Sequence, residues 1–317
     1  MTKSVYPPTG KSSGCPLTVA YGLGVDSTAM LVGMHQRGIR PDLILFADTG
    51  GEKPETYAYL PVMQAWLKKV SFPQVQVVKY KPERFKWEYY DTLETNCIVN
   101  ATLPSLAFGM KGCSLKWKRG PQDKFVDKWK PAQDCWARGG LVTKAIGYDA
   151  GPADAKRAWN LKDPNFRWTG LTADGKKRSG EAEAKTEAEI HELVREKGLK
   201  LVDVKKIPPK YSYWYPLRDW GWAREECKRQ IEAAGLPVPM KSSCFFCPAM
   251  KADEIDWRVK NHPELAMRIL KMEAVARPFL GTTQGLWRSV PGGMTPFIHG
   301  KLAELVPSYR LVRKKRN

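Results

Sequence analysis

Two groups of residues in this chain have the types and spacing for chemistry. The first is Tyr21-Gly22-Leu23-Gly24-Val25-Asp26-Ser27-Thr28. Glycines let a backbone turn tightly and aim amide N–H groups at a phosphate, and a following helix adds the partial positive charge of its N-terminus. Ser27 and Thr28 offer hydroxyl donors. Asp26 would repel a bare phosphate, so it suits a helix cap or a ligand of phosphate-bound Mg2+. A plain strand-to-helix turn with an Asp or Ser cap has the same pattern. A competing run, Thr9-Gly10-Lys11-Ser12, ends like a Walker A motif, but Val5 stands where that motif's first glycine belongs and no strand precedes it.

The second group is Cys244-Phe-Phe-Cys247-Pro248, beside Lys241, Ser242 and Ser243. A close cysteine pair suits a metal, an iron–sulfur cluster or redox work, or else two buried thiols in an apolar turn. The seven cysteines are an odd number, and Met1 to Cys15 is polar with Pro7 and Pro8, unlike a signal peptide. A reducing, cytoplasmic setting is therefore expected, and a disulfide framework is not. Cys15, Cys97, Cys135 and Cys227 read as small buried apolar residues.

These groups need elements to hold them. Leu17–Tyr21 reads as an apolar strand, and the segment from Asp26 to about Gly38 as a helix. Asp42–Phe46 is a second buried strand, ending at Ala47-Asp48-Thr49-Gly50. Leu60, Met63, Trp66, Leu67 and Val70 recur at helical spacing. Val75–Val78 and Leu141–Ile146 supply further strands. Strands alternating with helices predict an α/β fold, a mostly parallel twisted sheet with helices on both faces. Ligands in such sheets sit beyond the carboxyl ends of the strands, where both 22–27 and 47–56 fall.

The rest divides less cleanly. Residues 160–182 read as an irregular loop or insertion, and 183–197 as a charged helix. A helix is expected over about 223–234, and residues 250–275 read as helical. No clean domain boundary is visible; a loose leader is expected over 1–16 and a helical region with a basic tail over 251–317.

The segments in chain order resemble a known family. The glycine-rich run resembles the pyrophosphate-binding (PP) loop, Ser-Gly-Gly-x-Asp-Ser, of the N-type ATP pyrophosphatases, or adenine-nucleotide α-hydrolase-like superfamily, with Gly22 for the Ser and Leu23 for the first Gly. Asp48-Thr49-Gly50 with Pro54-Glu55-Thr56 resembles a signature of its phosphoadenosine-phosphosulfate (PAPS) reductase branch. So do Cys113 with Lys118-Arg-Gly-Pro121, and Ile146-Gly147-Tyr-Asp149 with Lys156-Arg157. Tyr215-Pro216-Leu217 with Asp219-Trp220, and Leu236 through Pro248, resemble the closing segment of sulfur-transfer members. The resemblance spans roughly 17–250 and implies a PP-loop ATP pyrophosphatase/PAPS reductase-like domain there, with an insertion near 160–200.

It implies ATP held by residues 21–28 with Mg2+, with Asp48, Thr49 and Gly50 by the nucleoside and Gly147 closing the site. It implies catalytic roles for Asp26, Ser27 and Lys118. Cys113, Cys244 and Cys247 would hold a [4Fe–4S] cluster with one open iron, or alternatively Zn2+. The activity implied is ATP-dependent adenylation of an acceptor with pyrophosphate release, in a sulfurtransferase near DNA phosphorothioation or tRNA thiolation enzymes, with a sulfur-donor protein as a further partner. Two alternatives stand beside it. One is a PAPS- or APS-type reductase, although no Cys follows Cys247. The other is a nonenzymatic adenine-nucleotide-binding module.

Charge bears on the partner. The chain has 317 residues, with 52 Lys+Arg against 33 Asp+Glu and a net charge of +19. No apolar run approaches the roughly 20 residues that span a bilayer, so no membrane partner is expected, and the charge predicts a polyanion, DNA or tRNA. Lys116, Lys118, Arg119 and Lys241 lie beside the cysteines as nucleic-acid contacts. Lys124–Lys130 and Arg84–Tyr90 also interleave cations with rings, which suits unpaired bases or, equally, rings in a core with solvated cations around them.

Overall fold

The computed structural model describes residues 14–82, 89–110, 112–155 and 164–305. The Walker-like run at 9–12, most of the 84–90 cluster, Lys156, Arg157 and the basic tail at 313–316 lie outside them.

The main sheet is parallel throughout, in the order β3-β2-β1-β4-β8. Its strands are β1 (Leu17–Tyr21), β2 (Leu43–Asp48), β3 (Val75–Lys79), β4 (Val142–Ile146) and β8 (Tyr211–Trp214). All six residues of β2 are buried, as a strand covered on both faces requires. Ile44 and Phe46 point into one core with Met30, Met34, Met63 and Trp66. Leu43, Leu45 and Ala47 point the other way, onto Val126, Ala132 and Cys135. The first core is closed by α1 (Val25–Gln36), α2 (Pro54–Lys69) and α9 (Arg224–Ala233), the second by α4 (Gly120–Val126) and α5 (Lys130–Ala137). The α/β class is as the strand–helix alternation predicts. β8 was not anticipated, because Tyr211-Ser-Tyr-Trp214 carries aromatic rings rather than an aliphatic run.

Residues 166–206 correct the expectation of an irregular loop at 160–182 and bear out the charged helix at 183–197. They form an antiparallel sheet, β6-β5-β7, from β5 (Phe166–Leu171), β6 (Lys177–Ala182) and β7 (Lys200–Lys206), covered by α7 (Glu187–Glu196). Phe166 and Trp168 alternate with outward Arg167 and pack on Ile190 and Val194. Asp174-Gly175, with Gly175 at φ +77°, is the turn of a hairpin rather than a break in structure. Ile207 N donates to Asn165 O at 2.8 Å, so the excursion leaves and rejoins the main body at one point.

The stretch expected to be helical over 250–275 is so, as two helices. These are α10 (Ala252–Asn261) and α11 (Pro263–Ala276), divided where Pro263 opens the second. They and α12 (Thr295–Leu305) enclose a third core that includes Leu93, Trp117, Cys244, Phe245 and Phe246. The cysteine expectation also needs correction. Cys15 and Cys135 form a disulfide with Cα atoms 5.1 Å apart, across 120 residues of sequence. The odd total concealed it, because the other five cysteines are free.

Candidate active site

Everything expected between Tyr21 and Thr28 lies where β1 hands over to α1. Gly24 caps the helix in extended conformation (φ −108°, ψ 176°). Ser27 Oγ accepts from Gly22 N at 3.2 Å and Gly24 N at 3.4 Å, and donates to Gly24 O. Thr28 Oγ1 bonds the Tyr21 hydroxyl at 3.1 Å. Leu23 is fully buried at φ +56°, a left-handed conformation that costs a non-glycine residue about 1 kcal/mol or more. Burial of its side chain holds it there. Gly147 completes the turn from β4. A Cβ on it would lie 2.9 Å from Ser27 N and Cα, so only glycine allows the two backbones to meet.

Beyond this turn three carboxylates converge. Asp26, Asp149 and Asp154 each bring an oxygen within 4.8 Å of the others, the one such set of three possible metal donors among the described residues. Asp149 and Asp154 are buried, and Asp149 Oδ1 accepts from Gly151 N at 2.8 Å. Arg224 Nη1 meets Asp26 Oδ1 at 2.6 Å. Burial pushes the Asp26 carboxyl up, Arg224 opposes it, and Asp149 and Asp154 add to it, leaving a pKa of about 6. Asp154 lies in α6 (Pro152–Ala155) and was missed in the sequence; an Asp five residues past Asp149, across Gly151-Pro152, was the available signal.

A cavity of about 270 Å3 opens beside the turn, walled by Tyr21, Gly22, Phe46, Leu115, Lys118, Arg119, Lys144 and Tyr148 among others. Lys118 and Arg119 belong to a π-helical turn over Ser114–Arg119, a form that recurs at functional sites. Lys118 Nζ pairs with Glu52 Oε1 at 3.0 Å, its side chain 39% exposed and that of Glu52 0%. Burial pulls the ammonium down, but Glu52 more than reverses this and holds it above the usual lysine range. Arg119 is engaged with Asp123 and Tyr213. Lys116 sits over the rings of Tyr80, Tyr90 and Trp117, and Lys241 pairs with Glu254 at 2.8 Å. All four cations expected beside nucleic acid therefore have partners within the chain.

Asp48 accepts from Tyr57 OH at 2.6 Å, Lys79 Nζ at 2.9 Å and Gly50 N at 2.8 Å. Burial would raise its carboxyl, and these bonds bring it below its ordinary value. Thr49 Oγ1 donates to Glu52 Oε1 at 3.1 Å and lies 3.3 Å from Cys244 Sγ. Cys113, Cys244 and Cys247 share the third core, but their sulfurs are not a set lying within 4.8 Å of one another. Burial raises the pKa of both Cys244 and Cys247. As placed, the trio does not fit a single Zn2+ ion.

The family model for the N-terminal domain of type II secretion system protein F matches residues 163–205. This segment is similar to a secretion-system domain. The match falls on the small sheet and α7, away from the turn and the thiols. No curated protein matches the chain. The secretion-system match overturns the expected membership of the PAPS reductase-like branch of the PP-loop superfamily. The activities drawn from that membership go with it: ATP-dependent nucleic-acid modification by a sulfurtransferase, sulfonucleotide reduction and the adenine-nucleotide module. So do the DNA, tRNA and sulfur-donor partners and the exclusion of a membrane partner. The physical reason lies in what the motifs encode. A glycine turn, an acidic strand end and a cysteine pair specify local geometry that unrelated α/β proteins share. No helix among the described residues is long and apolar enough to cross a membrane.

Proposed function

We propose that the carboxyl edge of the main sheet binds a phosphorylated small ligand together with a divalent cation, with Mg2+ as the cation and ATP as a phosphorylated probe to test first. The observation that carries this is the convergence of Asp26, Asp149 and Asp154 within 4.8 Å at the N-terminus of α1. Oxygen donors alone suit a hard cation such as Mg2+. The cation would offset the repulsion between these carboxylates and a phosphate at the turn. The cavity beside it supplies Lys118 for anionic groups and the faces of Tyr148 and Phe46 for an apolar portion. The reading puts the chain in the cytoplasm, where such ligands are abundant, and the Cys15–Cys135 bond would there be an exception to the usual rarity of disulfides.

Calorimetric titration tests it. ATP is expected to bind with Mg2+ present and much more weakly with EDTA. Asp149→Asn is expected to weaken the Mg2+-dependent part at least tenfold, the loss of one charged ligand. ATP binding indifferent to Mg2+ and to Asp149→Asn would sink the reading.

The match at 163–205 supports a second assignment, confined to the small sheet: an element for association with another protein, as a secretion-system domain would provide. Among the described residues its outer strands β6 and β7 each have one edge without a partner strand, the kind of edge that accepts one. Crosslinking through a photoreactive residue at Val202, 54% exposed on β7, should capture a protein; labelling confined to solvent would count against it.

A further inference from the structure

We infer that Ser242 closes the candidate site over the glycine turn and donates its hydroxyl to the ligand's phosphate, which rests on the ligand reading above. The placement is close. A Cβ on Gly24 would lie 2.5 Å from Ser242 Oγ, and one on Gly22 3.8 Å from it. The hydroxyl thus lies against the turn from the far end of the sequence, at a spot that a side chain on residue 24 would fill.

The strap carrying it is fixed by backbone. Glu52 and Cys244 form an antiparallel bridge, with Phe245 N donating to Gly51 O at 2.8 Å and Lys53 N to Ser243 O at 3.2 Å. Phe246 packs on Gly51, where a Cβ would meet its ring at 2.6 Å. Glu254 ties both flanks, accepting from Lys53 Nζ at 3.0 Å and Lys241 Nζ at 2.8 Å. Ser242 therefore has little freedom to swing away.

Donor accounting singles it out. Ser27 Oγ is spent on Gly22, Gly24 and its own turn, and Thr28 Oγ1 on Tyr21. Ser242 Oγ has no partner among the described residues, and the neighbouring Ser243 Oγ is buried without one. A hydroxyl held over a helix N-terminus with its proton unassigned is a ready donor to an anion seated there.

The test is calorimetry with ATP and with inorganic pyrophosphate, each with Mg2+, on four forms: the unaltered chain, Ser242→Ala, Gly24→Ala, and Gly24→Ala with Ser242→Gly. Thermal melts run alongside. Ser242→Ala is expected to melt as the unaltered chain does and to bind both probes about tenfold more weakly, the size of one hydrogen bond to a charged group. Gly24→Ala is expected to lower Tm, and adding Ser242→Gly to restore Tm but not affinity. Unchanged affinity in Ser242→Ala, while the unaltered chain binds, overturns the role of Ser242 and leaves the site standing. No binding by the unaltered chain overturns both. Pyrophosphate affinity unchanged with ATP affinity lowered would also overturn the phosphate contact, since both probes share only that group.

Discussion

Asp26 carries most of the electrostatic tension in the site. Its carboxyl titrates near 6 rather than 3.8, because burial and two neighbouring carboxylates outweigh Arg224. A folded-state pKa above the unfolded one contributes stability that is full below about 3.8 and lost as pH rises through about 6. The chain without cation should accordingly give up part of its stability between pH 4 and 6.5 (roughly the interval between those values), and Asp26→Asn should flatten that portion of the profile. Divalent cation binding runs the opposite way, strengthening as the proton leaves. Melts against pH with EDTA and with excess Mg2+ check both signs, since the two curves should diverge above about pH 6. Little of this was legible in the sequence. Asp26 could be read as a cap or a Mg2+ ligand from its place in the turn, but its partners come from β4's far end and from α9, and pairing at that separation has no local signature.

At the scale of elements, the strands and helices whose pattern is local were readable, and those set by distant packing were not. β1, α1 and β2 follow from apolar runs punctuated by glycine, and α1 stops where Gly38 (φ +63°) turns the chain back, its N–H bonding His35 O at 3.0 Å. The split between α10 and α11 is marked by Pro263, although the apolar periodicity that reads as helical runs across it. The small sheet was obscured by its charge: β6 exposes most of its side chains, and its inner face needs only Phe166, Trp168 and a glycine. Gly180 sits flat on Trp168, where a Cβ would be 2.5 Å from the indole. The bond between Ile207 N and Asn165 O makes the excursion separable. Replacing 166–205 by a short Gly-Ser linker should therefore leave the rest folded and ATP binding within about twofold, as for loops whose ends already meet. Loss of binding on calorimetry would show that the small sheet supports the ligand site. In the C-terminal core Glu273 plays the contrary part. It is fully buried and accepts from Leu286 N at 2.6 Å, Met294 N at 3.0 Å and Thr295 N at 2.8 Å. Glu273→Ala strands those donors and should cost about 3 kcal/mol or more in denaturant melts, without changing ligand affinity.

For the whole molecule, charge proved a weaker guide than pairing. The +19 total suggested a polyanion, yet the basic residues nearest the thiols are held by Glu52, Asp123, Glu254 and a set of rings. Exposed pairs elsewhere add little stability, each under about 1 kcal/mol. The larger global constraint is the Cys15–Cys135 bond, which ties the entry to β1 to helix α5 on the second face of the sheet. Gly140 packs against it so closely that a Cβ there would lie 2.3 Å from Cys15 Sγ. Closing 120 residues removes conformational freedom from the unfolded chain, worth about 2–4 kcal/mol in comparable cases. Reduction should lower the unfolding free energy by that amount, read as a lower denaturation midpoint, and Cys135→Ala should lower it equally while abolishing any further effect of reductant. The other five cysteines are free, so alkylation under denaturing, non-reducing conditions should label five thiols, and seven after reduction. Five labels and a reductant-sensitive midpoint together establish the crosslink as structural. Seven labels without reductant would mean that the chain folds with both thiols free, held by its packed cores without a crosslink.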